Sequence, residues 1–188
     1  MRVIAGIARS IPLVAPQGRD TRPTTDRIKE TLFNILQNDL ADARVLDIFA
    51  GSGALGIEAL SRGAGSAVFI DNSRQAADCI TANLKKTRLF DKATVLQTEA
   101  LSGIERLKSK GEVFDLVFMD PPYGLKLWLP VLCALKDSPI INGDTKIIIE
   151  DRLTEDFEDI LPYGFEIIRE KRYKNQKHVF LKIRGGND

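Results

Sequence analysis

The chain has very few of the residues that build covalent or metal-bound frameworks. Of 188 residues, two are cysteine and one is histidine. Cys79 and Cys133 lie far apart and form no Cys-x-x-Cys pair, so neither a disulfide framework nor a thiolate zinc site is indicated. Both read as small fillers of apolar space, and no metal is expected. Long apolar runs are missing too. Nothing approaches the roughly 20 residues needed to span a bilayer. The start, Met1-Arg2-Val3-Ile4-Ala5-Gly6, lacks the apolar core of a signal peptide. The expectation is a cytoplasmic protein with no membrane partner. Nor is there an excess of charge: 27 Lys and Arg face 26 Asp and Glu, a formal +1. By itself that balance selects neither nucleic acid nor membrane.

What is present suits one domain with a three-layer core, at 44% hydrophobic and 28% charged residues. The charge is unevenly placed. Arg2, Arg9, Arg19, Arg22, Arg27 and Lys29 crowd one end, and Arg169, Lys171, Arg172, Lys174, Lys177, Lys182 and Arg184 the other. Folding that joins the two ends would make a face for a polyanion; separate ends would be ordinary solvated surface.

Val3–Gly6 and Ile11–Val14 suggest a small N-terminal hairpin, weakened by Pro12. A helix follows, capped by Thr24 or Thr25, with Ile28, Leu32, Ile35 and Leu36 at helical spacing. From Arg44 strand and helix alternate. Strands are expected at 45–48, 67–70, 93–96, 113–119 and 146–150, with helices between them. Two closing strands, 165–169 and 178–182, form an antiparallel hairpin about a polar turn near Asn175. Residues 1–23 read as an extension and 24–188 as the α/β core of a single domain.

Gly51-Ser52-Gly53-Ala54-Leu55-Gly56 follows the first strand and fits Gly-x-Gly-x-x-Gly. That pattern suits a dinucleotide oxidoreductase equally well. Asp47 shifts the balance. A pyrophosphate on the glycine loop would be repelled by a nearby carboxylate. S-adenosylmethionine carries a sulfonium and an ammonium instead, so the acid is favourable. Cofactor contacts are therefore expected from Asp47, Ala50, Gly51, Ser52 and Gly53. Asp71 ends the second strand where a ribose-binding acid belongs, with Asn72 beside it. Glu99 and Ala100 follow the third strand and would border the adenine.

Asp120-Pro121-Pro122-Tyr123 follows the fourth strand, at the sheet edge where ligands bind. Asp120 and the Pro121 carbonyl are acceptors for a planar amino group. The two prolines hold them rigid, and Tyr123 offers a ring on which a base stacks. Asp120 also borders the cofactor. The combination points to methyl transfer onto an exocyclic base nitrogen. His178, in the closing strand, is not needed as a base.

Arg22-Pro23-Thr24-Thr25-Asp26-Arg27-Ile28-Lys29-Glu30-Thr31-Leu32-Phe33-Asn34 resembles the N-terminal signature of bacterial 16S rRNA guanine-N2 methyltransferases of the RsmD type. Residues 47–64 resemble that family's cofactor segment, and the likeness runs from residue 2 to about 184. It implies a class I methyltransferase: a Rossmann-like, mostly parallel seven-stranded sheet with a C-terminal antiparallel hairpin and a small N-terminal hairpin. It also implies 16S rRNA within a small-subunit assembly as substrate. Thr24 and Arg22 are then placed near cofactor and base. Arg9, Arg22, Arg27 and Lys174 become the candidate RNA contacts. Ala8-Arg9-Ser10-Ile11 is less basic than the family's hairpin, which reduces the RNA contact expected there. A monomer is expected. The clamp reads an amino group, not a base, so adenine-N6 and cytosine-N4 methylation stay open, as does a non-catalytic RNA-binding assembly factor.

Overall fold

The computed structural model describes residues 1–16 and 26–185. The expected cap at Thr24 or Thr25, and the candidate contacts Arg22 and Thr24, lie outside them. Helix α1 covers Asp26–Ile35. The alternating core follows in the order expected: β1 (Arg44–Ile48), α2 (Ala54–Ser61), β2 (Ser66–Asp71), α3 (Arg74–Thr87), β3 (Ala93–Gln97) and α4 (Ala100–Lys108), then β4 (Leu116–Met119), α5 (Trp128–Lys136) and β5 (Lys146–Arg152). Strands β6 (Phe165–Arg172) and β7 (Gln176–Ile183) close the chain.

Among the described residues the seven strands form one sheet in the order β3-β2-β1-β4-β5-β7-β6. The six strand pairs divide cleanly: the four among β1 to β5 are parallel, and β7 runs antiparallel to both β5 and β6. The chain winds outward from β1 to β3, then returns to place β4 on the other side of β1. That reversal opens a crevice beyond the carboxyl ends of β1 and β4.

Side chains alternate between two cores, as the pleat requires. Val45, Phe69, Phe118, Ile148 and Phe180 pack with α1, α2 and α3. Leu46, Val68, Val117, Ile147 and Val179 pack with α4 and α5. Gly56 lets α2 sit close on β2, because a Cβ there would fall 2.3 Å from Cε1 of buried Phe69. Strand β4 is shorter than the expected 113–119. Its leading residues leave the ladder for the loop before β5: the Phe114 amide donates to Ile140 O, and its carbonyl accepts from Thr145 Oγ1.

The N-terminal hairpin is the main departure. Its two arms touch through one bridge, Arg2 with Pro12, and a few backbone bonds including Val3 N to Ile11 O. Pro12 has no N–H to extend a ladder. Moreover, the Ile4 and Ala5 amides donate to the Glu58 carboxylate on α2 (2.8 and 3.0 Å) rather than to a partner strand. The segment is therefore docked on helices. Glu58 is fully buried and also holds Arg62 Nε at 2.7 Å and the fully buried Lys29 Nζ at 3.2 Å. Lys29 donates in addition to the Arg2 carbonyl.

Candidate active site

The loop after β1 is held in shape from below. Phe49, Gly51 and Gly53 all take left-handed φ values, 63°, 56° and 75°. For Phe49, which has a Cβ, that is a strained conformation of the kind found at binding loops. Buried Asp47 accepts the Gly56 amide on Oδ2 at 2.9 Å. Asp71 accepts the Gly51 amide on one oxygen and the Ser73 amide on the other, each at 2.9 Å. Ser73 itself caps α3. Asn83 on α3 donates to Ser52 O and Val14 O, and accepts from the Val14 amide. One amide side chain thus ties the N-terminal segment to the glycine loop. At the start of α4, exposed Glu99 accepts from Asn72 Nδ2 at 2.9 Å.

These groups face a cleft of about 1760 Å³. Of the described residues assigned to cofactor from sequence, all but Gly53 line it, and so does the whole run Asp120–Tyr123. Gly53 instead is the N-cap residue of α2. Lys174 lies on the cleft wall, in the turn between β6 and β7. Met1, Leu13 and Ala15 line the same cleft, so the two ends of the chain do meet there. Arg9 and Arg27 are exposed but away from it. The C-terminal charge is partly neutralised: Lys177 is buried against Glu170 at 2.9 Å, and Arg172 pairs with the same acid.

Two residues at the site were not singled out from sequence. The Tyr123 hydroxyl donates to Glu150 at 2.9 Å, and the Arg152 guanidinium lies 5.8 Å from the Tyr123 ring centroid. Arg152 lines the cleft with Leu153 and Thr154. The rule that picked out Asp47, Asp71 and Asp120, that strand ends of an α/β sheet line the site, would have picked out this end of β5 as well.

The floor of the cleft is acidic. Burial pushes Asp47 up to about 7, against the Gly56 amide, with the nearby Asp71 charge adding to it. Asp120 is raised well above the usual carboxylate range, by burial first and then by Glu150, Asp47 and Asp151. Such a floor favours a cationic ligand. Among the described residues no group of His, Cys, Asp and Glu is placed to hold a metal ion. No helix among them is long and apolar enough to cross a membrane.

A sheet of this order, a glycine loop after β1 and an Asp-Pro-Pro-Tyr run after β4 define a class I methyltransferase. The site puts the loop and the run in one cleft. The chain belongs to the family described as conserved hypothetical protein 95, whose model matches residues 1–182. Ribosomal RNA small subunit methyltransferase D of Escherichia coli K12 is 36% identical over 171 residues, covering 91% of this chain and 84% of the relative. The Haemophilus influenzae protein of the same name is 33% identical over 172 residues, covering 91% and 88%. The solved structure of yhhF from Escherichia coli superposes with a TM-score of 0.83 at 33% identity, covering 99% of both chains.

Proposed function

We propose that this chain binds S-adenosylmethionine and methylates the N2 amino group of a guanine in 16S rRNA. It acts in the cytoplasm, as a monomer and a single domain, on RNA in a small-subunit assembly. The observation that carries this reading is that the glycine loop and the Asp120–Tyr123 run open into the same cleft. At about 1760 Å³ it exceeds the roughly 300–1,000 Å³ of a pocket for one small ligand, which suits a cofactor and an extruded nucleotide together.

The acidic floor fits a cofactor that carries an ammonium and a sulfonium. When bound, S-adenosylmethionine supplies an electrophilic methyl group. Asp47 attracts the ammonium and holds the loop through Gly56. Ala50, Gly51, Ser52 and Gly53 shape that loop, and Thr24 is assigned beside it. Asp71, with Asn72, receives the ribose hydroxyls; the Ala100 amide and Glu99 border the adenine. Asp120 and the Pro121 carbonyl each accept one amino hydrogen, which aims the nitrogen at the methyl carbon. Pro122 fixes the backbone between them and Tyr123, whose ring supports the base. The high proton affinity of Asp120 suits it to take the proton that the amino nitrogen gives up. Arg9, Arg22, Arg27 and Lys174 hold RNA phosphates.

Radiolabelled methyl transfer to undermethylated small subunits, followed by nucleoside analysis, tests the reading. N2-methylguanosine is the expected product. N6-methyladenosine or N4-methylcytidine would keep the clamp and change the base. No transfer to any ribosomal RNA, naked or assembled, would leave an RNA-binding assembly factor.

The cofactor assignment has its own test. Asp47 titrates at about 7 without ligand, and only its ionised form attracts an ammonium. S-adenosylhomocysteine carries the same ammonium. Its binding should release protons near neutrality and weaken by roughly tenfold from pH 8 to pH 6. Asp47→Asn keeps an acceptor for Gly56 and should bind weakly at both pH values. Isothermal titration calorimetry showing a pH-independent affinity in the wild type would remove Asp47 from the ammonium site.

A further inference from the structure

Behind Tyr123 lies a buried polar cluster outside the cleft. Glu150, at the end of β5 and 3% exposed, is its hub. Its Oε1 accepts from Tyr123 Oη at 2.9 Å and from Gln176 Nε2 at 2.6 Å, and its Oε2 pairs with His178 Nε2 at 2.8 Å. His178, 1% exposed, sits directly across the ladder from Glu150. Its other ring nitrogen, Nδ1, lies 3.1 Å from Tyr173 Oη. With the Nε2 proton given to Glu150, Nδ1 accepts from the Tyr173 hydroxyl, and every link is satisfied. Tyr173 and Gln176 bracket the turn whose Lys174 and Asn175 line the cleft.

We infer that Glu150 is a positioning residue for methyl transfer: it fixes the Tyr123 ring beneath the target base and ties that ring, through Gln176 and His178, to the 173–175 turn on the cleft wall. The inference rests on the methyl-transfer reading above. The physical case is steric and directional. Arg152 lies over the Tyr123 ring but 5.8 Å from its centroid, too loosely to set the ring's orientation. The half-buried ring is anchored at its hydroxyl by a carboxylate that does not itself line the cleft. A carboxylate is the group required, because three donors converge on it and it has no proton to oppose them. Buried networks of this kind rigidify their members when fully satisfied. The arrangement also places a negative charge near Asp120. The charged groups set against Asp120 are Asp47 from β1 and Glu150 and Asp151 from β5.

Glu150→Gln tests this with little change of shape. Its amide oxygen can still accept from Tyr123 and Gln176, but only as a weaker, neutral acceptor, and its new N–H opposes the Nε2 proton of His178, so the charge-assisted anchor is lost. The expected result is a folded protein that binds S-adenosylhomocysteine within about twofold of wild type, with kcat lowered roughly tenfold or more and KM for undermethylated small subunits little changed. The acid limb of the kcat–pH profile should move to lower pH, because one of the charges opposing Asp120 ionisation is gone. Tyr123→Phe should lose kcat similarly but keep the wild-type acid limb. The kcat losses of the two variants should not multiply in the double variant.

A readout free of substrate accompanies these. In fluorotyrosine-labelled protein the Tyr123 resonance, assigned by its absence from Tyr123→Phe, should shift and broaden in Glu150→Gln. A wild-type kcat in either single variant, fully multiplicative losses, or an unchanged Tyr123 resonance would each overturn the inference. If Glu150→Gln fails to fold, Tyr123→Phe decides alone, and a wild-type kcat there overturns it. Failure of the wild type to methylate any RNA strikes the functional reading instead, while the resonance still reports whether Glu150 anchors the ring.

Discussion

Asp120→Ala is expected to lower kcat by about 10²–10⁴-fold while S-adenosylhomocysteine binds within a few fold of wild type. The size follows from two duties resting on one side chain. Asp120 orients the amino group and, with its raised proton affinity, receives the proton that the nitrogen releases. Truncation removes both, yet leaves Asp47, Asp71 and the glycine loop to bind cofactor. Asp120→Asn separates the duties, since the amide oxygen still accepts a hydrogen bond but takes no proton. It should fall between wild type and alanine if orientation contributes, and match alanine if proton acceptance dominates. Single-turnover methyl transfer with radiolabelled cofactor measures this directly. Near-normal turnover in the alanine variant would remove the clamp from the mechanism.

Glu58→Ala should cost about 3–5 kcal/mol of stability, the range for breaking a buried ion pair by removing one partner. For a chain of this size that is a fall of roughly 10 °C or more in Tm. Glu58 is fully buried and carries four contacts: the Ile4 and Ala5 amides, Arg62 and Lys29. Its loss strands Lys29 in the core, donating to the Arg2 carbonyl without a carboxylate beside it. Burial already draws the Lys29 ammonium below its ordinary range, and the Glu58 charge is the main force resisting that. Without it the amine should go neutral, so the variant should lose less stability at high pH than at low. The N-terminal segment should also become protease-sensitive, because two of its amides lose their acceptor. Thermal melts across pH and limited proteolysis report both effects. A Tm within 2 °C or so of wild type would show that these contacts relax onto water at little cost.

Much of this architecture was legible in the residues. Strands β1 to β5 are apolar runs closed by acids or turn residues, and their alternation with amphipathic helices dictates a parallel sheet. The strand-end positions of Asp47, Asp71 and Asp120 placed them in one crevice before any contact was known. The N-terminal hairpin was less legible, because its partner turned out to be α2. The Ile4 and Ala5 amides bond to Glu58, more than fifty residues away, and no local pattern records that. Glu58 was hidden for a related reason: a single acid in a helix reads as solvent-facing unless its neighbours are known. Glu150 was visible only as the last residue of a strand. Its contacts depend on the β5–β7 register, which sets it opposite His178. That register comes from long-range pairing rather than from either strand's own composition.

The central place of β1 has a consequence for how the chain matures. One edge of β1 is covered by β2, some twenty residues later, but the other waits for β4 at 116–119. During synthesis the sheet's middle strand is therefore half-clad for about forty-five residues, from the end of β2 at Asp71 to the start of β4 at Leu116, with a bare row of amides and carbonyls open to misregistered pairing. The first sixteen residues also wait, since their anchors at Glu58, Ser61 and Asn83 exist only once α2 and α3 have formed. Residues made before β1 are thus among the later ones to settle. Slow refolding from denaturant is the behaviour that such long-range pairings would produce, since the same separations must be closed there too.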